Sequence, residues 1–310
     1  MYEKLEECPV CKNTRFDNFL ICEDHSVSGE SFALVKCTKC SLIFTNPRPK
    51  EENLSSYYQS TNYISHTDKG NTLINWVYKL VRKYTLSKKI SLVKRLNGKA
   101  GTLLDYGCGT GDFLKEANQK GWHAFGFEPD ESARKIAEKK NPQRILSNLK
   151  NENQTFDIIT AWHVIEHVAD LKKTVKQLRK MLNVNGHLIL AFPNNKSFDA
   201  KHYGSFWAAY DVPRHLYHFD KDSIQYFSKQ FKLVLKGVLP MKFDSFYVSM
   251  LSEKYKGNSN FIRAFKTGYK SNKKAKSTGE PWGQGAENLQ SAPQLSVSRQ
   301  ACECMQQEIS

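Results

Sequence analysis

Between Gly101 and Asp130 the sequence prescribes strand, glycine turn, helix and strand in immediate succession, and few folds accept that order. Thr102 to Tyr106 is a short apolar run bounded by glycines, too short for a helix, and reads as a buried strand. Gly107, Gly109 and Gly111 follow at alternate positions, a helix is expected from Asp112, and a second apolar run, Ala124 to Phe127, ends on Glu128. Glycines let the backbone approach a ligand, and a carboxylate ending the second strand meets ribose hydroxyls. This is the plan of a nucleotide site. The glycine spacing is not that of a pyrophosphate fingerprint, and no Lys-Ser or Lys-Thr follows, which excludes a triphosphate P-loop. Asp105 beside the turn would repel a pyrophosphate but suits a ligand with an ammonium or sulfonium group.

Downstream the pattern alternates. Helices are expected at 112–120, 131–140, 168–182 and 223–229, and strands at 144–146, 156–162, 187–192 and 231–239. Alternating strands and helices imply an α/β fold with a parallel sheet covered on both faces. Ligands bind such sheets at the carboxyl ends of the strands, which places Asp105, Glu128, Asn148, Leu149, Trp162 and His163 along one rim.

Leu103-Leu-Asp-Tyr-Gly-Cys-Gly-Thr-Gly111, with Glu128 ending the second strand, resembles the first motif and ribose acid of the class I S-adenosylmethionine-dependent methyltransferases. The resemblance runs from about Leu92 to Leu239. It implies a Rossmann-like methyltransferase sheet in which Asp105, Gly107, Gly109, Gly111 and Glu128 hold S-adenosylmethionine and Asn148-Leu149 meets the adenine. That family often carries an acid at the adenine loop, which is absent here. Asp157 to Val168 resembles the fourth motif, with His163 emerging near the methyl group. His163 either touches the ligand or packs. Glu166 and His167 are expected to open the next helix.

Cys8-Pro-Val-Cys11 and Cys37-Thr-Lys-Cys40 have the spacing of two knuckles around one tetrahedral ion. Short strands between them, 16–22 and 31–36, complete a small N-terminal zinc ribbon over residues 1–46. Zinc is the expected metal, with iron or redox cysteines as the other reading. Four protein ligands leave no open position, so the ion is structural.

Residues 47–98 read as a linker followed by a long helix from Thr72 to Leu96. Tyr57, Tyr58 and Tyr63 either line a substrate pocket or pack. The net charge of +15 sits in two acid-free stretches, 69–104 with nine Lys/Arg and 254–276 with eight, so the remainder of the chain carries no basic excess. The basic face of the long helix, Lys79, Arg82 and Lys83, either meets RNA or an anionic membrane, or is simply solvated. No apolar run is long enough to cross a bilayer and the N-terminus lacks a signal peptide's apolar centre, so a cytoplasmic protein is expected.

His202 to Phe219 crowds aromatics, three histidines and Arg214 into one long connection. It resembles the active-site segment of the zinc-ribbon sugar C-methyltransferases. His215 falls on their catalytic base, while the preceding position, an acid in that family, is Arg214 here. Arg214 would keep His215 neutral or hold an anionic acceptor. Residues 99–276 thus form the catalytic domain. Residues 277–310, rich in Gln, Ser and Gly, are expected to be disordered or non-native and to supply no last strand.

The resemblance implies methyl transfer to a small molecule, a sugar or other cell-surface precursor, at oxygen or carbon. A zinc-ribbon ribosomal RNA methyltransferase and a non-catalytic zinc-ribbon adaptor are the alternatives.

Overall fold

The computed structural model describes residues 1–58, 73–149, 154–240, 244–258, 260–277 and 294–299. Tyr63, Cys302 and Cys304 lie outside them. The N-terminal part holds β1 (Tyr2–Glu3), β2 (Phe16–Glu23), β3 (Ser31–Cys37), β4 (Ile43–Thr45), β5 (Arg48–Pro49), α1 (Glu51–Leu54) and α2 (Leu73–Asn97). Next come β6 (Thr102–Tyr106), α3 (Asp112–Gln119), β7 (His123–Phe127), α4 (Glu131–Lys140), β8 (Ile145–Leu146), β9 (Phe156–Trp162), α5 (Leu171–Lys180) and β10 (Leu182–Phe192). They are followed by α6 (Phe198–Tyr203), β11 (Tyr217–His218), α7 (Lys221–Gln230), β12 (Val234–Pro240), α8 (Asp244–Tyr255), α9 (Phe261–Ser277) and β13 (Gln294–Arg299).

The main sheet has the order β12-β13-β10-β9-β6-β7-β8, and every pairing in it is parallel. Its central strands are continuously apolar because both faces are covered: Leu103, Leu104, Ile158, Ile159, Leu188 and Leu190 are all fully buried. On one face Ile90 and Val93 of α2 pack with Leu114 of α3. A second apolar cluster takes Val175 and Leu178 of α5 with Ile224 and Phe227 of α7. This is the Rossmann-like arrangement expected.

Two expectations are corrected. The stretch 277–310 does supply a strand: β13 lies between β10 and β12, with Leu295 buried and aligned with Leu188 and Leu235. Its Gln-Leu-Ser-Val-Ser-Arg alternation has the strand period, which a reading by composition hides. Glu166 and His167 do not open a helix. They sit in the preceding turn, and α5 begins after Asp170, whose carboxylate caps it by accepting from the Lys173 N–H.

The N-terminal module shares a sheet with the catalytic body. Its strands β2, β3 and β4 are extended by β11, from the long connection after β10, which pairs antiparallel with β4. Cys8, Cys37, Leu42 and Phe44 share one apolar cluster with Leu190, Phe192, Leu216 and Phe219. The expected linker, too, is built in: β5 pairs with β1, and buried Arg48 donates to the Tyr217 hydroxyl and the Ala169 carbonyl oxygen.

Candidate active site

The sheet order reverses at β6, since β7 and β8 lie to one side and β9 to the other. A crevice opens at the carboxyl ends of two strands that diverge in this way. The glycine turn follows β6 at that point. Gly107 has φ +73°, and a Cβ there would stand 2.4 Å from a methyl of Val164, so only glycine lets the turn close against the β9 loop. Gly109, also at positive φ, donates its N–H to Glu128 Oε2 at 2.8 Å, while Glu128 Oε1 accepts from the Asp130 N–H at 2.9 Å. An ionised carboxylate has about four acceptor positions. Two remain for hydroxyl donors. Burial raises the Glu128 carboxyl above its ordinary range, with the two backbone donors opposing that rise.

Behind the turn Asp105 is buried and accepts from the Thr160 hydroxyl at 2.7 Å. Burial pushes its carboxyl up, opposed by Thr160 and by the charge of Lys89. Lys89 itself is buried, its ammonium 4.6 Å from the centre of the Trp162 ring, and burial pulls its pKa down. Trp162 is buried and edge-on to Phe113. The expectation of a solvated basic face on α2 did not include Lys89. Its spacing from Leu86 and Val93 puts it on the apolar face, which was the available signal.

His163 follows Trp162 at φ +57°, a left-handed conformation that a residue with a side chain enters at a cost. Its Nδ1 lies 3.2 Å from Glu166 Oε1 and its Nε2 lies 4.0 Å from Asp244 Oδ2. Both His163 Nε2 and Asp244 Oδ2 are buried without a hydrogen-bond partner among the described residues. Burial pushes the Asp244 carboxyl up; His163 and Lys89 pull against it. Burial would also raise Glu166, but the His163 hydrogen bond and the charges of three neighbouring histidines hold it low. Asp244 begins α8, an element the sequence reading did not identify, and it is the second residue that reading missed.

Of the adenine-loop pair, Asn148 is exposed whereas Leu149 is buried in the main apolar cluster. Only Asn148 remains at the surface to meet a base.

His215 is fully buried, its Nδ1 3.0 Å from the Ala209 carbonyl oxygen. It lies edge-on to His167 with ring centres 4.5 Å apart, and ligating atoms of Glu166, His167 and His215 converge within 4.8 Å. It therefore joins the rim through Glu166 and His163 rather than lying on it. His167 Nδ1 is 3.0 Å from the Tyr58 hydroxyl and 3.1 Å from the Arg214 carbonyl oxygen. Burial and the charge of His215 lower its pKa to about 4.

Arg214 corrects the expectation that it holds an acceptor. Its guanidinium donates to both oxygens of Asp24, to Asp211 Oδ1 and to the Tyr57 carbonyl oxygen, at 2.7 to 3.3 Å. Asp24 belongs to the N-terminal module. All three guanidinium nitrogens are committed: to Asp24 of that module, to Tyr57, and to Asp211 within the 202–219 connection itself. Tyr57 packs here, bonded to Glu30 through its hydroxyl, whereas Tyr58 reaches His167.

The sulfurs of Cys8, Cys11, Cys37 and Cys40 lie within 4.8 Å of one another, and no described cysteine forms a disulfide. Four thiols converging on one point make a set that holds a tetrahedral ion.

The family described as a methyltransferase domain matches residues 78–233, half the chain. A ubiquinone biosynthesis O-methyltransferase from Rhodopseudomonas palustris is 30% identical over 41% of the chain and 55% of its own length. The chain spans about half the length of the curated relatives it matches. Among solved structures, an amino pentose methyltransferase from Micromonospora echinaspora is 21% identical, covering 40% of this chain and 58% of its own, with a TM-score of 0.33. Magnesium protoporphyrin IX methyltransferase from Synechocystis is 15% identical, covering 59% and 89%, with a TM-score of 0.44.

Proposed function

The chain belongs to the methyltransferase-domain family, and from that premise we propose that it moves a methyl group from S-adenosylmethionine to a small molecule. The observation that carries this is the rim itself: a glycine turn closed against Val164, a ribose acid with acceptor positions to spare, and an unpartnered His163–Asp244 pair beside them. These residues fit the donor. Glu128 would take the ribose hydroxyls, Asn148 an adenine edge, and buried Asp105 and Asp244 place negative charge where a sulfonium would lie.

S-adenosylmethionine, when bound, supplies an already electrophilic methyl carbon, so the chain's contribution is alignment and proton transfer. With the donor bound, His163 Nε2, facing Asp244, would take the acceptor's proton as the methyl–sulfur bond breaks, the methyl–acceptor bond forms and the thioether leaves. Glu166 fixes the His163 ring through Nδ1. Ligating atoms of His167 and His215 lie within 4.8 Å of Glu166, whose Oε2 has no hydrogen-bond partner among the described residues, so they act on it through charge. His215, proposed from the sequence as the base, is on this reading a positioning residue. The acceptor we favour is a hydroxyl or acidified carbon of a sugar or other cell-surface precursor; the relatives named for ubiquinone biosynthesis support oxygen. In the four-cysteine set we propose a structural zinc.

The RNA reading is weakened because Arg82, in the basic face of α2, bonds Asp112, which also takes Lys140. Labelled S-adenosylmethionine incubated with the protein and fractionated cell extract tests the proposal. Label in a ribonuclease-resistant small-molecule fraction supports it. Label lost with ribonuclease would establish the RNA reading, and no binding of S-adenosylmethionine would establish the adaptor.

A further inference from the structure

Helix α9 has three faces of different chemistry. Ala264, Thr267 and Ser271 are buried, and Gly268 stands against Phe246, so small residues seat the helix closely on α8. Next around the helix come Phe261, Ile262, Phe265 and Tyr269, at 70%, 69%, 64% and 59% exposure. Positions i, i+1, i+4 and i+8 of a helix fall on one stripe. Beyond it, on the side away from α8, lie Arg263, Lys266, Lys270 and Lys273, all exposed. No Asp or Glu occurs from 254 to 276.

A soluble surface seldom leaves four large apolar side chains in one row. An apolar stripe flanked by a cationic one is the pattern of a helix that lies in the plane of a membrane, with its apolar side in the acyl boundary and lysines at the headgroups. Among the described residues no helix is long and apolar enough to cross a bilayer, so a parallel orientation is the one available to α9.

We propose that α9 docks the protein on an anionic lipid surface through Phe261, Ile262, Phe265 and Tyr269, with Arg263, Lys266, Lys270 and Lys273 at the headgroups. This stands on α9 alone and is independent of the acceptor proposed above. Two other occupants fit less well. A second copy would bring two cationic strips of the same sign together. RNA would call for aromatics interleaved with the cations, whereas here the two stripes are segregated and include Ile262.

Full-length protein is sedimented with sucrose-loaded vesicles of phosphatidylcholine, with or without phosphatidylglycerol, at low and high salt. Partition onto the phosphatidylglycerol vesicles at least about tenfold above phosphatidylcholine alone, weakened by salt, is expected. The double variant Phe261→Ser, Ile262→Ser and the double variant Lys266→Glu, Lys270→Glu should each cut that partition about tenfold or more. Calorimetric affinity for S-adenosylmethionine should stay unchanged in both. Both pairs are exposed, and the charge variant keeps the test valid should the apolar one fold poorly. Absence of partition, or partition indifferent to both variants, overturns the proposal. Dimerisation or RNA retention that depends on the stripe, without vesicle binding, overturns it equally.

Discussion

The Arg214 bracket and the donor rim both bury charge, and they treat it in opposite ways. At the bracket Arg214, Asp24 and Asp211 are matched donor to acceptor, so burial is compensated and both carboxyls stay low, Asp211 at about 2. At the rim Asp105, Glu128 and Asp244 are all raised, and His163 Nε2 and Asp244 Oδ2, 4.0 Å apart, have no hydrogen-bond partner among the described residues. Buried polar atoms left unmatched cost stability. A fold that matches them at an internal seam and not at a crevice keeps the second for a ligand.

Removing the metal should do most. If the proposed zinc is bound, chelation should release one ion per chain and remove on the order of 10 kcal/mol of support from the N-terminal module. Because β11 belongs to the sheet of the N-terminal module, global unfolding should shift with it, as read by metal analysis and thermal melting together. A zinc-free protein that melts unchanged would detach the module from the body.

Arg214→Met comes next. It leaves two buried carboxylates without a partner and should cost about 3–5 kcal/mol in urea unfolding. A cost near zero would mean the bracket is not the seam described.

A third test uses pH. Burial, then the charge of His215, lowers the pKa of His218 to about 3, and that of His167 is lowered to about 4. Unfolded histidine titrates near 6.5, so as pH falls from about 6.5 toward about 4 the unfolded chain binds more protons and stability declines. The raised rim carboxyls act in the opposite sense over much of that window. Comparing urea midpoints at about pH 7 and about pH 5 in wild type and His218→Asn isolates one histidine, worth at most about 1.4 kcal/mol per pH unit. The variant should decline less steeply. An equal slope in both would place the depressed groups elsewhere.

Asp244→Asn should have the smallest effect on stability, within about 0.5–1 kcal/mol, since it removes a charge that burial penalises and whose Oδ2 has no hydrogen-bond partner among the described residues. Turnover should fall. A loss of stability as large as that of Arg214→Met would erase the distinction between the two regions.

Much of the rim could be read from the sequence because its carriers are local: Asp105, Gly107, Gly109 and Gly111 fall within one short stretch, and glycine there has a backbone reason. The two cysteine pairs were legible for the same cause. The seam was not. The pairing of Tyr217 with Phe44 and the ties from Arg214 to Asp24 join residues far apart in the chain, and no period or spacing announces them. Asp170, an N-cap signal, would have moved the start of α5 past Glu166 and His167. Asp244 is a lone acid in an apolar stretch and had no local signature. β13 was hidden by its polar surroundings, although its alternation was on the page.

The central claim, that the rim is kept for S-adenosylmethionine, is tested most directly by calorimetric titration of that ligand into wild type and Glu128→Ala. The account predicts binding to wild type and a loss of about 1.5–3 kcal/mol in the variant, the worth of a charge-assisted hydrogen bond, with folding intact. Equal affinity in the two proteins, or none in either, would contradict it.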